Sequence, residues 1–105
     1  MARVAISIRA EQEASRAYAW ISERNPVRAE HWFRALHAVL LSLRVFPERC
    51  PRAPEGKRFG KEIRQVMLGE YRVLFRIEED RVLIIHVRHG AMAQLRRTDI
   101  DGDGP

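Results

Sequence analysis

Only one cysteine, Cys50, occurs in the 105 residues, so no internal disulfide can form. A lone thiol fits a reducing compartment. It sits in the run RCPR, between Arg49 and Arg52. A single loop thiol nonetheless defines no chemistry by itself. No apolar run approaches the roughly 20 residues of a membrane span. The start, MARVAISIRAEQ, breaks its short apolar stretch with Ser7 and Arg9, so it does not read as a secretory signal. Together these absences point to a cytoplasmic protein without a membrane partner. Internal repeats and low-complexity runs are also missing.

What is present is a soluble, basic composition. Hydrophobic residues make up 46% and charged residues 31%, the profile of one globular domain. The net charge of +5 is unevenly spread. Residues 1–43 carry six arginines against four acids, and residues 44–76 carry nine Lys or Arg against four acids. Residues 77–105 carry four arginines against six acids. The surplus lies in the middle of the chain, where it can steer nucleic acid or an acidic protein.

Periodicity gives the elements. Val4–Ile8 alternates apolar and polar, which predicts a first strand. Ala10, Ala14, Ala17, Tyr18 and Ile21 recur at helical spacing, with Glu11 and Glu13 in the first turn. Asn25-Pro26 ends this helix and caps the next. Trp32, Phe33, Leu36, Val39, Leu40, Leu43 and Phe46 then mark one apolar face, stopped by Pro47. So short a link predicts an antiparallel helical hairpin. Glu48–Gly60 reads as a loop, followed by strands at Glu62–Leu68, Tyr71–Ile77 and Arg81–Arg88. Gly69-Glu70 suits a type II′ turn.

The predicted fold is α+β: a strand, an antiparallel two-helix hairpin, then three antiparallel strands, in one mostly antiparallel sheet. A single domain over residues 1–97 and an acidic, disordered tail over 98–105 are expected. The hairpin should cover the face bearing Tyr71, Val73 and Phe75, leaving Arg72, Leu74 and Arg76 on a bare face. In the last strand, strict alternation puts Leu83, Ile85 and Val87 on one side. Val82, Ile84, His86 and Arg88 then fall on the other.

The run APEGKRFGKEIRQVMLGEYRVLFRIEEDRVLIIHVRHGA resembles the C-terminal half of RelE/ParE-type toxins of type II toxin–antitoxin systems. The preceding strand and helical hairpin resemble the N-terminal half, so the likeness covers residues 3 to 92. It implies a toxin that inhibits growth when free and is neutralised by a cognate antitoxin. It also implies either ribosome-dependent cleavage of mRNA, as in RelE, or inhibition of DNA gyrase, as in ParE. A toxin–antitoxin hetero-oligomer or a toxin homodimer is compatible with either. An inactive protein-binding relative and a general nucleic-acid binder are the alternative readings.

The resemblance also nominates residues. Arg72 matches the arginine that holds phosphate in the nuclease branch. His89 lies near the acid–base position of some nucleases, and Glu55 near their carboxylate base. RNA cleavage needs a base for the 2′-hydroxyl, a cation on phosphate and an acid for the leaving oxygen. Lys57, Arg58, Lys61 and Arg64, with Arg76 and Arg88, are candidates for nucleic-acid or target binding. Leu74 and Ile84, flanked by cations, are expected to form an antitoxin groove.

No cofactor is implied. Asp99, Asp101, Asp103 and Gly104 mimic the start of a calcium loop, but the chain ends before the twelfth-position carboxylate, so no metal is expected. Beyond Val87-Arg88-His89-Gly90 the nuclease pattern lapses. Met92 stands where many relatives have arginine, and no tyrosine follows Tyr71. Arg96 and Arg97 are the available substitutes. A gyrase inhibitor, a nuclease with a reduced site and a weakened toxin are therefore all open.

Overall fold

The computed structural model describes residues 2–90. Arg96, Arg97, the Asp99–Gly104 motif and the expected boundary at residue 97 lie outside them. Strand β1 spans Arg3–Ile6, helix α1 Ile8–Arg24 and helix α2 Pro26–Ser42. A 3₁₀ turn at Pro47–Arg49 and a short helix α3 at Pro54–Phe59 follow. Strands β2 (Arg64–Leu68), β3 (Tyr71–Ile77) and β4 (Arg81–His89) are the remaining elements among the described residues. The sheet order is β1-β4-β3-β2, with β1 parallel to β4 and the other pairs antiparallel. The α+β class and element order are therefore those expected, except that the predicted loop contains the 3₁₀ turn and α3.

Local chemistry explains the boundaries. The Ser7 hydroxyl accepts from the Ala10 amide at 3.0 Å and caps α1. Asn25 closes α1 by donating its amide to Ile21, while its side chain accepts from the Arg28 amide to open α2. Gly69 adopts φ +58 and Glu70 does not enter the positive region, the φ pattern of a type II′ hairpin.

Helix α1 lies against β4 and α2 against β2, covering one face of the sheet. The main core there joins Ala10, Leu36 and Leu43 to Val73, Phe75, Val82, Ile84 and Val87. Burying each large side chain contributes about 1.5–3 kcal/mol. Tyr71, Val73 and Phe75 do face the helices, as their alternation requires.

Two expectations are corrected. First, the opposite face is not bare. Ala53 and Ile63, at the two ends of the α3 segment, cover Leu74, Leu83 and Ile85 in a second, smaller core. Second, β4 does not alternate strictly. Its register against β3 slips between Leu74 and Phe75, which pair with His86 and Ile84, so Ile85 is an extra residue. This bulge sends Val82, Ile84 and Val87 into the main core together. β1 ends at Ile6, so the Val87 amide has no strand partner there. It donates to Glu13 at 2.9 Å, and the same carboxylate lies 3.1 Å from His86 Nδ1.

The one non-glycine residue with positive φ among those described is Phe46, at φ 46 and ψ 61. Arg49 holds it by donating to the Val45 and Phe46 carbonyls at 2.6 and 3.0 Å. Its ring is 66% exposed, so little burial offsets the strain. Phe46→Gly should therefore stabilise the fold by about 0.5–1 kcal/mol. Chemical denaturation measures it, and a loss of stability would show that the ring is structurally required.

Candidate functional site

The charged residues of the second face meet under α3. Pro54 starts this helix and Glu55 lies in its first turn, where a carboxylate is favoured. Gly56 lets the helix approach the β2 side. A Cβ there would come within 2.8 Å of the Ile63 amide and closer still to the Lys61 carbonyl. The helix ends on Gly60, at φ +70, with Lys57 and Arg58 exposed in its last turn. This geometry turns the Glu55 carboxylate inward, 1% exposed, onto Arg72 of β3.

The contact is a bidentate fork. Arg72 Nη1 donates to Glu55 Oε2 and Nη2 to Oε1, each at 2.7 Å. Gln65 Oε1 accepts from the other edge of the guanidinium, at 2.7 Å from Nη2 and 3.2 Å from Nε. Four of the five N–H donors of Arg72 are thus engaged. Arg88 sits opposite Arg72 across the β3–β4 ladder. Two facing cations would repel, and Glu55 lies where it offsets both. The Arg72 hydrogen bonds, with Arg72 and Arg88 charge attraction, hold the Glu55 carboxyl below its ordinary 4.5 against the opposing effect of burial. Glu55 in turn raises the pKa of Arg72.

A depressed, buried carboxylate is fully ionised at neutral pH but a weak proton acceptor. A guanidinium with four donors occupied has little left for a phosphate. Glu55 and Arg72 are therefore brought together, but as a closed pair. His89 is not with them. It is in register with Tyr71, on the helix side of the sheet. There it meets the Tyr71 ring edge-on at 5.2 Å, with Nε2 3.5 Å from Glu70.

The other nominated residues divide similarly. Arg64 is turned inward and donates to the Glu48 and Cys50 carbonyls at 3.1 and 2.6 Å. Its second arm meets Glu62 at 2.9 Å, so it ties down the loop instead of joining Lys57, Arg58 and Lys61 on an open cluster. Arg76 reaches Glu78 at 3.3 Å, and the same carboxylate accepts from Arg81 at 2.6 Å. The expected antitoxin groove at Leu74 and Ile84 is corrected. Both side chains are fully buried, and they belong to different cores on opposite faces of the sheet. The bulge at Ile85 and the cover supplied by α3 are the causes. Among the described residues, no group of three or more His, Cys, Asp or Glu is placed to hold a metal ion.

Sequence reasoning missed Gln65, because an amide in a strand carries no signal until its neighbours are known. It also missed that Glu13 would cap a strand edge.

Removing one partner of the buried pair strands the other charge. Glu55→Gln should cost about 2–4 kcal/mol in denaturant unfolding. Because the folded chain holds this carboxyl below 4.5, the unfolded chain binds the extra proton as pH falls. The stability it supplies is complete above about pH 5 and is lost as pH drops through 4.5 towards the folded value. Glu55→Gln should flatten that acid limb; an unchanged pH profile would refute the coupling.

The model for the family described as ParE toxin of type II toxin-antitoxin system, parDE, matches residues 4–94. No curated protein matches the chain. The match spans helices α1, α2 and α3 and, apart from Arg3, the four strands of the sheet. The chain belongs to the ParE toxin family of type II toxin–antitoxin systems.

Proposed function

We propose that this toxin inhibits growth by binding DNA gyrase and does not cut mRNA. One observation carries the reading: the Arg72 guanidinium is held by Glu55 and Gln65, so neither the phosphate cation nor the base of a RelE-like site is free. Three further features support it. His89 lies on the other face of the sheet from that pair. Met92 occupies the place of an arginine common in relatives, and no tyrosine follows Tyr71. A ParE-like inhibitor needs none of these groups for chemistry, because it acts through an interface.

In this reading a cognate antitoxin, encoded beside the toxin, masks it by protein contact. The exposed cations Lys57 and Arg58 give either partner a basic approach. Such contacts raise association rates and weaken with salt. The pair at Glu55 and Arg72 contributes indirectly, by fixing the segment that carries them.

Purified protein tested in a gyrase supercoiling assay and in a translating extract separates the two mechanisms. Lost supercoiling with intact message is the expected result. Codon-spaced cuts mapped by primer extension, abolished in a folded Arg72→Lys variant, would overturn the proposal.

A further inference from the structure

A half-open cleft of about 510 Å³ lies between the tip of the α1–α2 hairpin and the β2–β3 turn. It is on the helix side of the sheet, away from Glu55 and Arg72. Its floor is a ladder of rings: Trp32 lies 5.2 Å from Tyr71, which lies 5.2 Å from His89. One wall is Trp20, more than half exposed, with the Arg24 guanidinium stacked 3.7 Å from its ring. Arg28 and His31 stand one turn apart at the start of α2. The Arg28 guanidinium and the His31 ring engage no partner among the described residues. The lining carboxylate is Glu70, 3.5 Å from His89. Trp32 Nε1 is buried and has no acceptor among the described residues.

The floor rings are inclined to one another by 60° and 81°, so each offers a separate face or edge, and aromatic rings beside an unpaired guanidinium are the combination that holds a nucleobase and its phosphate. Rings stack on bases regardless of sequence, and arginine forks bind phosphate oxygens. The volume lies within the range of small-ligand sites. A carboxylate-bearing peptide would use the cations but leave the ring ladder idle. We propose that this cleft binds a nucleotide, its base against the Trp20, Trp32 and Tyr71 rings and its phosphate on Arg28 and His31. The nucleotide is either free or part of a single strand. The inference does not depend on gyrase being the target, since it concerns the isolated toxin.

The protein contains two tryptophans, and both line the cleft, so intrinsic emission reports directly on its occupancy. Titration with AMP should quench saturably with a dissociation constant on the order of 0.1–1 mM. Adenosine, lacking phosphate, should bind about tenfold more weakly, as should AMP to Arg28→Ala. Arg28 is exposed, so this variant keeps its fold, checked by circular dichroism. Trp20→Phe and Trp32→Phe assign the signal. A ten-residue oligo(dA) binding more than about tenfold tighter than AMP identifies a strand as the source; equal affinity identifies the free nucleotide. The proposal is overturned if neither AMP nor oligo(dA) quenches saturably, or if Arg28→Ala binds AMP as wild type does. A response to an oligoglutamate peptide alone would overturn it too, marking a protein-binding cleft.

Discussion

The buried fork between Glu55 and Arg72 is the constraint on which the second face of the sheet depends. α3 has six residues, too few to form a stable helix by itself. It stays in place because Ala53 and Ile63 pack onto Leu74, Leu83 and Ile85. Glu55 at its start is also fastened to Arg72, near the start of β3. The apolar contacts are few, so the ion pair supplies direction where burial supplies most of the driving force. Arg64 repeats the device at the other end of the segment, converting a guanidinium into a bracket for the Glu48 and Cys50 carbonyls. Part of the local positive charge, at Arg64, Arg72 and Arg76, is therefore spent on partners within the molecule. Arg44, Arg52, Lys57 and Arg58 remain exposed for a partner to meet.

The outline of the fold was legible because its signals are local. Asn25-Pro26 carries both the end of one helix and the cap of the next. Gly69 can take the positive φ of the hairpin turn. Tyr71, Val73 and Phe75 alternate cleanly and face the helices. Two features were hidden because they are not local. The bulge at Ile85 arises from the pairing of β4 with β3, and in the run of six buried residues from Val82 to Val87 the one polar residue, His86, is buried as deeply as its neighbours, so nothing in the run reveals the slip. α3 breaks at both ends into Pro and Gly, so its composition reads as loop until the sheet gives it a surface.

The candidate site was legible only as a set of names. Glu55 and Arg72 were both nominated, yet their separation by 17 residues carries no information on whether they point at each other or at a ligand. The difference decides the chemistry: apart, they suit a base and a phosphate cation; joined, they neutralise one another. His89 shows the same limit, since its register with Tyr71 fixes its face and that register is a property of the whole hairpin. A ParE-family toxin whose RelE-like positions are absorbed into scaffolding is thus consistent with action through surfaces, and the fold alone would accommodate either mechanism.

The central claim is that Glu55 and Arg72 are scaffold, and replacing both at once tests it most directly. An apolar double variant, Glu55→Leu with Arg72→Met, removes both charges while conserving approximate volume, a change buried ion pairs often tolerate. Its induced expression without the antitoxin, with folding verified on the purified protein, is the decisive measurement. The account predicts growth arrest and gyrase inhibition like those of the parent chain. A folded double variant that leaves growth unaffected while the parent arrests it would contradict the account and return both residues to the chemistry.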